Sequence, residues 1–152
     1  ELLRERGETL TVAESCTGGG LGAALAAVPG ASEVFIGGVI AYSNSIKKEL
    51  LEVPSELLKE HGAVSRQVVQ AMAKGALHFL KADWAIAVSG LAGPGGSTKS
   101  KQVGLVFLAF AGPQGCQSCQ ENFGSHKERL DIQQLSVVRA LDRLRLILLS
   151  RS

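Results

Sequence analysis

Thr9-Leu10-Thr11-Val12-Ala13-Glu14-Ser15-Cys16-Thr17-Gly18-Gly19-Gly20 is the stretch on which the fold turns. Thr9 to Ala13 is a short β-branched and apolar run, the pattern of a strand. The Ala/Leu-rich segment Leu21 to Val28 then reads as a helix, and Pro29-Gly30 stops it. The glycines therefore sit at a strand-to-helix junction, the repeating unit of α/β domains.

Val34 to Ala41 is a second strand, with Gly37 and Gly38 inside it. Adjacent glycines in a strand mark a bulge or a close approach of another backbone. Short helical pieces follow at Ser45 to Leu51 and from Pro54 through Leu58, closed by His61-Gly62. Ser65 caps a longer helix, Arg66 to Leu80, whose Val68, Val69, Met72, Ala73, Ala76, Phe79 and Leu80 keep the helical period. Asp83 to Val88 is a third strand. A glycine-rich loop from Ser89 to Ser97 extends through Gln102 to a fourth strand, Val103 to Ala111. Cys119 to Phe123 forms a fifth, and a helix from Lys127 to Leu149 ends the chain. Strands interleaved with helices predict a three-layer α/β/α sandwich with a mostly parallel, mixed central sheet. No repeat or long linker divides the chain, so residues 1–152 are expected to form one domain.

Composition bounds the function. The 152 residues are 45% hydrophobic and 20% charged, which suits a globular protein rather than a disordered one. Sixteen Lys and Arg stand against 14 Asp and Glu, and the few aromatics do not interleave with the basic residues. That balance argues against a nucleic-acid partner. No apolar run is long enough for a membrane span, and Glu1 to Arg6 lacks the apolar core of a signal peptide. A cytoplasmic protein with no membrane partner is expected. A start at Glu1 fits either a domain cut from a longer protein or a chain whose first residues are not ordered. Cys116-Gln117-Ser118-Cys119 has zinc-ligand spacing, but no second pair completes four ligands. A turn or strand start is the better reading, and no metal is expected.

Four constellations can carry chemistry. In Glu14 to Gly20 the backbone N–H groups of Thr17, Gly18 and Gly19 before a helix start can face a phosphate or an acyl oxyanion, with Ser15 at the mouth. The alternative is a plain helix cap. Tyr42 and Lys47 lie across a strand-to-helix turn. A serine nucleophile needs a base. His61, His78 and His126 are poorly placed for that task, which leaves a lysine of lowered pKa helped by a tyrosine. The alternative is a surface lysine and an ordinary strand tyrosine. The loop bearing Ser89, Gly90, Gly93, Gly95 and Gly96 stands at a strand end, where α/β proteins place ligand loops, or is a flexible connection. Arg129 can hold a phosphate or carboxylate in bidentate fashion, or lie in solvent.

Taken together, Ala13 to Gly19, Pro29-Gly30-Ala31-Ser32, Tyr42-Ser43-Asn44 with Lys47, His61 to Ser65, Ser89 to Gly96 and Val103-Gly104 resemble the CinA C-terminal domain family of nicotinamide-nucleotide amidases. The resemblance covers nearly the whole chain. It implies hydrolysis of nicotinamide mononucleotide to nicotinate mononucleotide and ammonia. Ser15 is implied as nucleophile, with Tyr42 and Lys47 as its partners. Ser32, the glycine loops and Arg129 are implied to line the substrate pocket. It further implies no metal or other cofactor and a homo-oligomer, dimer or larger. The chain departs from the family pattern at Gln102, where a proline is usual, and at Ser125 to Arg129, which lacks the usual Gly-Asp. It also has Gln133 near the place of a second arginine. The competing readings are a catalytically weak nucleotide-binding or regulatory domain of a larger competence- or damage-related protein, and a nucleic-acid-binding protein, which the charge balance disfavours.

Overall fold

The computed structural model describes residues 1–151. In chain order these form α1 (Leu2–Arg6), β1 (Leu10–Glu14), α2 (Gly20–Ala26), a 3-10 turn (Ala31–Glu33), β2 (Phe35–Ile40), α3 (Asn44–Glu49), α4 (Ser55–His61), α5 (Arg66–Leu80), β3 (Trp84–Gly90), β4 (Leu105–Gly112), β5 (Gly115–Asn122) and α6 (Arg129–Leu149). The sheet order is β2-β1-β3-β4-β5. β1 runs parallel to β2 and β3, while β4 is antiparallel to both β3 and β5. The sheet is thus mixed, within an α/β/α sandwich.

Period-2 alternation divides the core between the two faces. On one face Leu10, Val12, Trp84, Ile86, Val88, Val106, Leu108 and Phe110 pack with Leu3, Leu21, Ile132, Ala140 and Leu144 of α1, α2 and α6. On the other, Ala13, Ala85, Ala87, Ala109 and Ala111 meet Val68, Val69, Met72, Ala73 and Ala76 of α5. The small strand residues let α5 lie close. Gly75 carries the same logic further, since a Cβ there would collide with the Leu51 carbonyl. Gly38 accounts for the glycines inside β2: a Cβ would strike the Val12 side chain, and the register of β1 against β2 shifts beside it. Both readings of that glycine pair therefore apply.

β4 and α6 each start two residues later than the sequence reading, and β5 and α2 differ in ways that have a visible cause. β5 begins at Gly115 rather than Cys119, because a Pro113-Gln114 turn closes a hairpin in which Gly112 pairs with Gly115. It is an edge strand with polar residues, which hides its pattern. Within it Cys116 packs on the α5 side and Cys119 on the α6 side, so the two thiols face away from each other. α2 ends at Ala26, two residues before Val28, and the chain turns through Pro29-Gly30 into the 3-10 segment.

The crossings position the site. The connection after β1 leads to α2 on one face, whereas the connection after β2 leads toward α5 on the other. The two connections therefore diverge at the carboxyl ends of β1 and β2, the place where open α/β sheets bind ligands.

Candidate active site

Ser15 follows the last residue of β1 and is half-buried, its N–H donating to Val88 O at 3.0 Å. The turn behind it is organised by Glu14, which is 1% exposed. Its Oε2 accepts from Thr17 Oγ1 at 2.6 Å, Gly19 N at 3.1 Å and Leu21 N at 2.9 Å. Its Oε1 accepts from Gly22 N at 2.7 Å. Four donors and no acceptor surround this group, which is the environment of a carboxylate. The start of α2 is therefore filled by the chain's own anion. This corrects the expectation that the Gly18 and Gly19 N–H groups face a ligand: Gly19 is engaged by Glu14, and Gly18 donates to Ser15 O at 3.1 Å. Among the described residues, Cys16 N–H and Thr17 N–H are the ones in this turn left without an oxygen acceptor.

α3 starts at the Ser43 cap, whose hydroxyl accepts from Ile46 N at 3.3 Å, and directs Lys47 inward. Lys47 is 1% exposed, and it does not lie on the surface. Its Nζ donates to Ala41 O at 2.8 Å, Tyr42 O at 3.1 Å and Ser15 Oγ at 3.1 Å. Burial lowers its pKa from the ordinary 10.5, opposed by the neighbouring Cys16 thiol. Cys16 itself is pushed up to about 12, mainly by burial. Ser15 thus has the basic partner, while the adjacent Cys16 stays a protonated thiol turned into the α6-side core.

Tyr42 reaches Lys47 through its carbonyl. Its phenol instead accepts from Arg129 Nη2 at 2.7 Å. Arg129, the first residue of α6, also donates from Nη1 to Gly93 O at 2.6 Å. The guanidinium thereby joins the segments after β2 and β3, using two of its five N–H groups. Ser89 is buried, with Oγ donating to Ala63 O at 2.8 Å, and so anchors the loop before α5. Gly90 ends β3, while Gly95 and Gly96 lie in the exposed part of the loop beyond. Lys101 ties that loop down by donating to His61 O at 2.6 Å.

Ser32 is not at this site. It precedes β2, whose start pairs with Leu10 at the beginning of β1, whereas Ser15 follows the end of β1. In parallel strands those are opposite ends, about 15 Å apart at roughly 3.3 Å per residue. Two features escaped the sequence reading: the carboxylate of Glu14 under the turn, and Gln133 Nε2, which donates to Cys16 O at 2.9 Å from α6. Among the described residues no three His, Cys, Asp or Glu side chains are grouped to hold a metal ion. Nor is any helix long and apolar enough to cross a membrane.

Comparison with known proteins places this geometry among others. The family model described as CinA C-terminal domain matches residues 1–148. A CinA-like protein of Parasynechococcus marenigrum (strain WH8102) is 64% identical over 151 residues, 99% of this chain and 36% of that protein. One from Prochlorococcus marinus (strain MIT 9313) is 65% identical over 152 residues, 100% of this chain and 35% of that protein. The chain thus spans about a third of the length of the curated relatives it matches. A crystal structure of a competence-damaged protein (CinA) superfamily member from Klebsiella pneumoniae superposes with a TM-score of 0.93 at 36% identity, covering 98% of this chain and 92% of that one. A competence/damage-inducible protein from Agrobacterium tumefaciens gives 0.91 at 39%, covering 96% and 88%.

Proposed function

Because the chain belongs to the CinA C-terminal domain family, we propose that it is a serine amidase that hydrolyses the carboxamide of nicotinamide mononucleotide to nicotinate mononucleotide and ammonia. The observation that carries this reading is the buried Lys47 amine, 3.1 Å from Ser15 Oγ and held by the carbonyls of Ala41 and Tyr42. As an ammonium it donates to all three oxygens. Once deprotonated it keeps two N–H groups for the two carbonyls and turns its lone pair to the Ser15 hydroxyl. A lowered pKa favours that neutral form.

In the first step Ser15 Oγ attacks the carboxamide carbon and Lys47 takes its proton. Cys16 N–H and Thr17 N–H receive the developing oxyanion. Lys47 returns the proton to the leaving nitrogen, and ammonia departs from an ester on Ser15. Water, deprotonated by Lys47, then releases the nicotinate product and restores the hydroxyl. Tyr42 assists through its carbonyl on Lys47 and through its phenol, which holds Arg129. Arg129 offers its remaining donors to the phosphate.

The test is ammonia release from nicotinamide mononucleotide by the native chain, Ser15→Ala and Lys47→Met. Turnover that falls at least about a thousandfold in both variants supports the reading. Turnover that survives in Ser15→Ala removes serine as the nucleophile. Tight nucleotide binding with no turnover by the native chain replaces the amidase with a regulatory nucleotide-binding domain.

A further inference from the structure

A trans peptide is planar, with its C=O and the following N–H pointing in opposite directions. An N–H can therefore be aimed by whatever holds the carbonyl of the same peptide. Two consecutive peptides behind Ser15 are held in this way. The Ser15 carbonyl accepts from Gly18 N at 3.1 Å, which directs Cys16 N–H. The Cys16 carbonyl accepts from Gln133 Nε2 at 2.9 Å, which directs Thr17 N–H. The first of these bonds is local, three residues apart. The second spans 117 residues and is made by a half-buried side chain on the second turn of α6.

We propose that Gln133 is a positioning residue for the acyl-transfer chemistry: by holding the Cys16 carbonyl toward α6 it turns Thr17 N–H away from α6, as the second oxyanion donor. Its partner is a carbonyl, so the amide orientation is fixed with the nitrogen donating. Glu14 holds the far end of the same turn through Thr17 Oγ1 and three N–H groups, but none of its bonds reaches the Cys16–Thr17 peptide. That peptide would otherwise rotate in a turn containing Gly18 and Gly19, whose φ values are 58° and 104°. The inference rests on the amidase reading for its chemistry and on Gln133 alone for its geometry.

Two measurements test it. In 1H–15N spectra, Gln133→Leu is expected to shift or broaden the Thr17 amide while leaving that of Leu21, which Glu14 holds, in place. In ammonia-release kinetics, Gln133→Leu is expected to lower kcat about tenfold to a hundredfold with KM within about twofold, less than outright loss of an oxyanion donor. Gln133→Arg, which keeps a donor at that reach, recovers kcat to within about threefold of native. An unmoved Thr17 amide overturns the proposal whether or not the protein turns over. So does a loss that appears in KM, or a kcat within twofold of native in Gln133→Leu. A native chain without turnover defeats the amidase reading alone, because the Thr17 amide still decides the geometry.

Discussion

Glu14→Gln is a direct probe of how the turn at Ser15 is built. The substitution keeps the shape of the side chain and removes its charge. The amide oxygen is expected to take the Oε2 position, which serves Thr17 Oγ1, Gly19 N and Leu21 N. The amide NH2 then faces Gly22 N–H in a site that is 1% exposed. A buried donor left without an acceptor costs about 1–3 kcal/mol, and each remaining bond loses charge assistance worth roughly 0.5–1 kcal/mol. The loss of stability should therefore be about 3–5 kcal/mol. For a domain of this size that lowers Tm by about 10 °C or more. Urea unfolding followed by circular dichroism measures the first quantity, and scanning calorimetry the second. A loss below about 1 kcal/mol would mean that no buried carboxylate holds these four donors.

Burial lowers the Lys47 pKa, so kcat should rise with pH along an acid limb lying below 10.5, and a limb at or above that value removes Lys47 as the base. The same shift bears on stability: between the lowered folded pKa and 10.5 the unfolded chain binds the proton that the folded chain does not. The contribution of Lys47 to stability is thus greatest above 10.5 and declines as pH falls through that window, and Lys47→Met should flatten this part of the unfolding profile. Arg129→Ala should raise KM for nicotinamide mononucleotide about tenfold to a hundredfold, the size of a charge-assisted contact, while leaving the phosphate-free nucleoside nearly unaffected. Equal effects on both substrates would mean that Arg129 does not read the phosphate. Gly75→Ala should destabilise the domain by about 3 kcal/mol or more in the same urea assay, because the new methyl meets the Leu51 carbonyl; a neutral result would show that α5 does not pack this closely.

The sequence made α5 readable because one apolar stripe and one cap act together. The predicted span Arg66 to Leu80 is the observed one, and Ser65 accepts from Val68 N. β3 and β4 were equally legible as apolar runs, being buried on both faces. β5 was legible only in its second half, from Cys119 to Asn122, because an edge strand covered by charged side chains has little apolar pattern. Arg139 and Arg143 reach Glu121 from α6, and Arg66 reaches Ser118 from α5. At the site, Ser15 and Lys47 could be singled out because strand ends gather side chains. Spacing could not say which atom of Tyr42 meets Lys47. Backbone carbonyls carry no sequence signal, and the phenol is claimed by Arg129, 87 residues away. Ser32, which the resemblance places in the substrate pocket, lies at the other end of the sheet from Ser15 within the chain, because the parallel crossover carries it there. Glu14 and Gln133 were missed for the same physical reason: their partners are backbone groups, which any residue supplies.

In the proposed reaction Ser15 is the group that receives the acyl fragment. The measurement is peptide mass spectrometry after acid quench of native protein mixed with excess nicotinamide mononucleotide. A nicotinoyl-nucleotide ester on Ser15 is the predicted result, and the same adduct on Cys16 or on any other residue would contradict it.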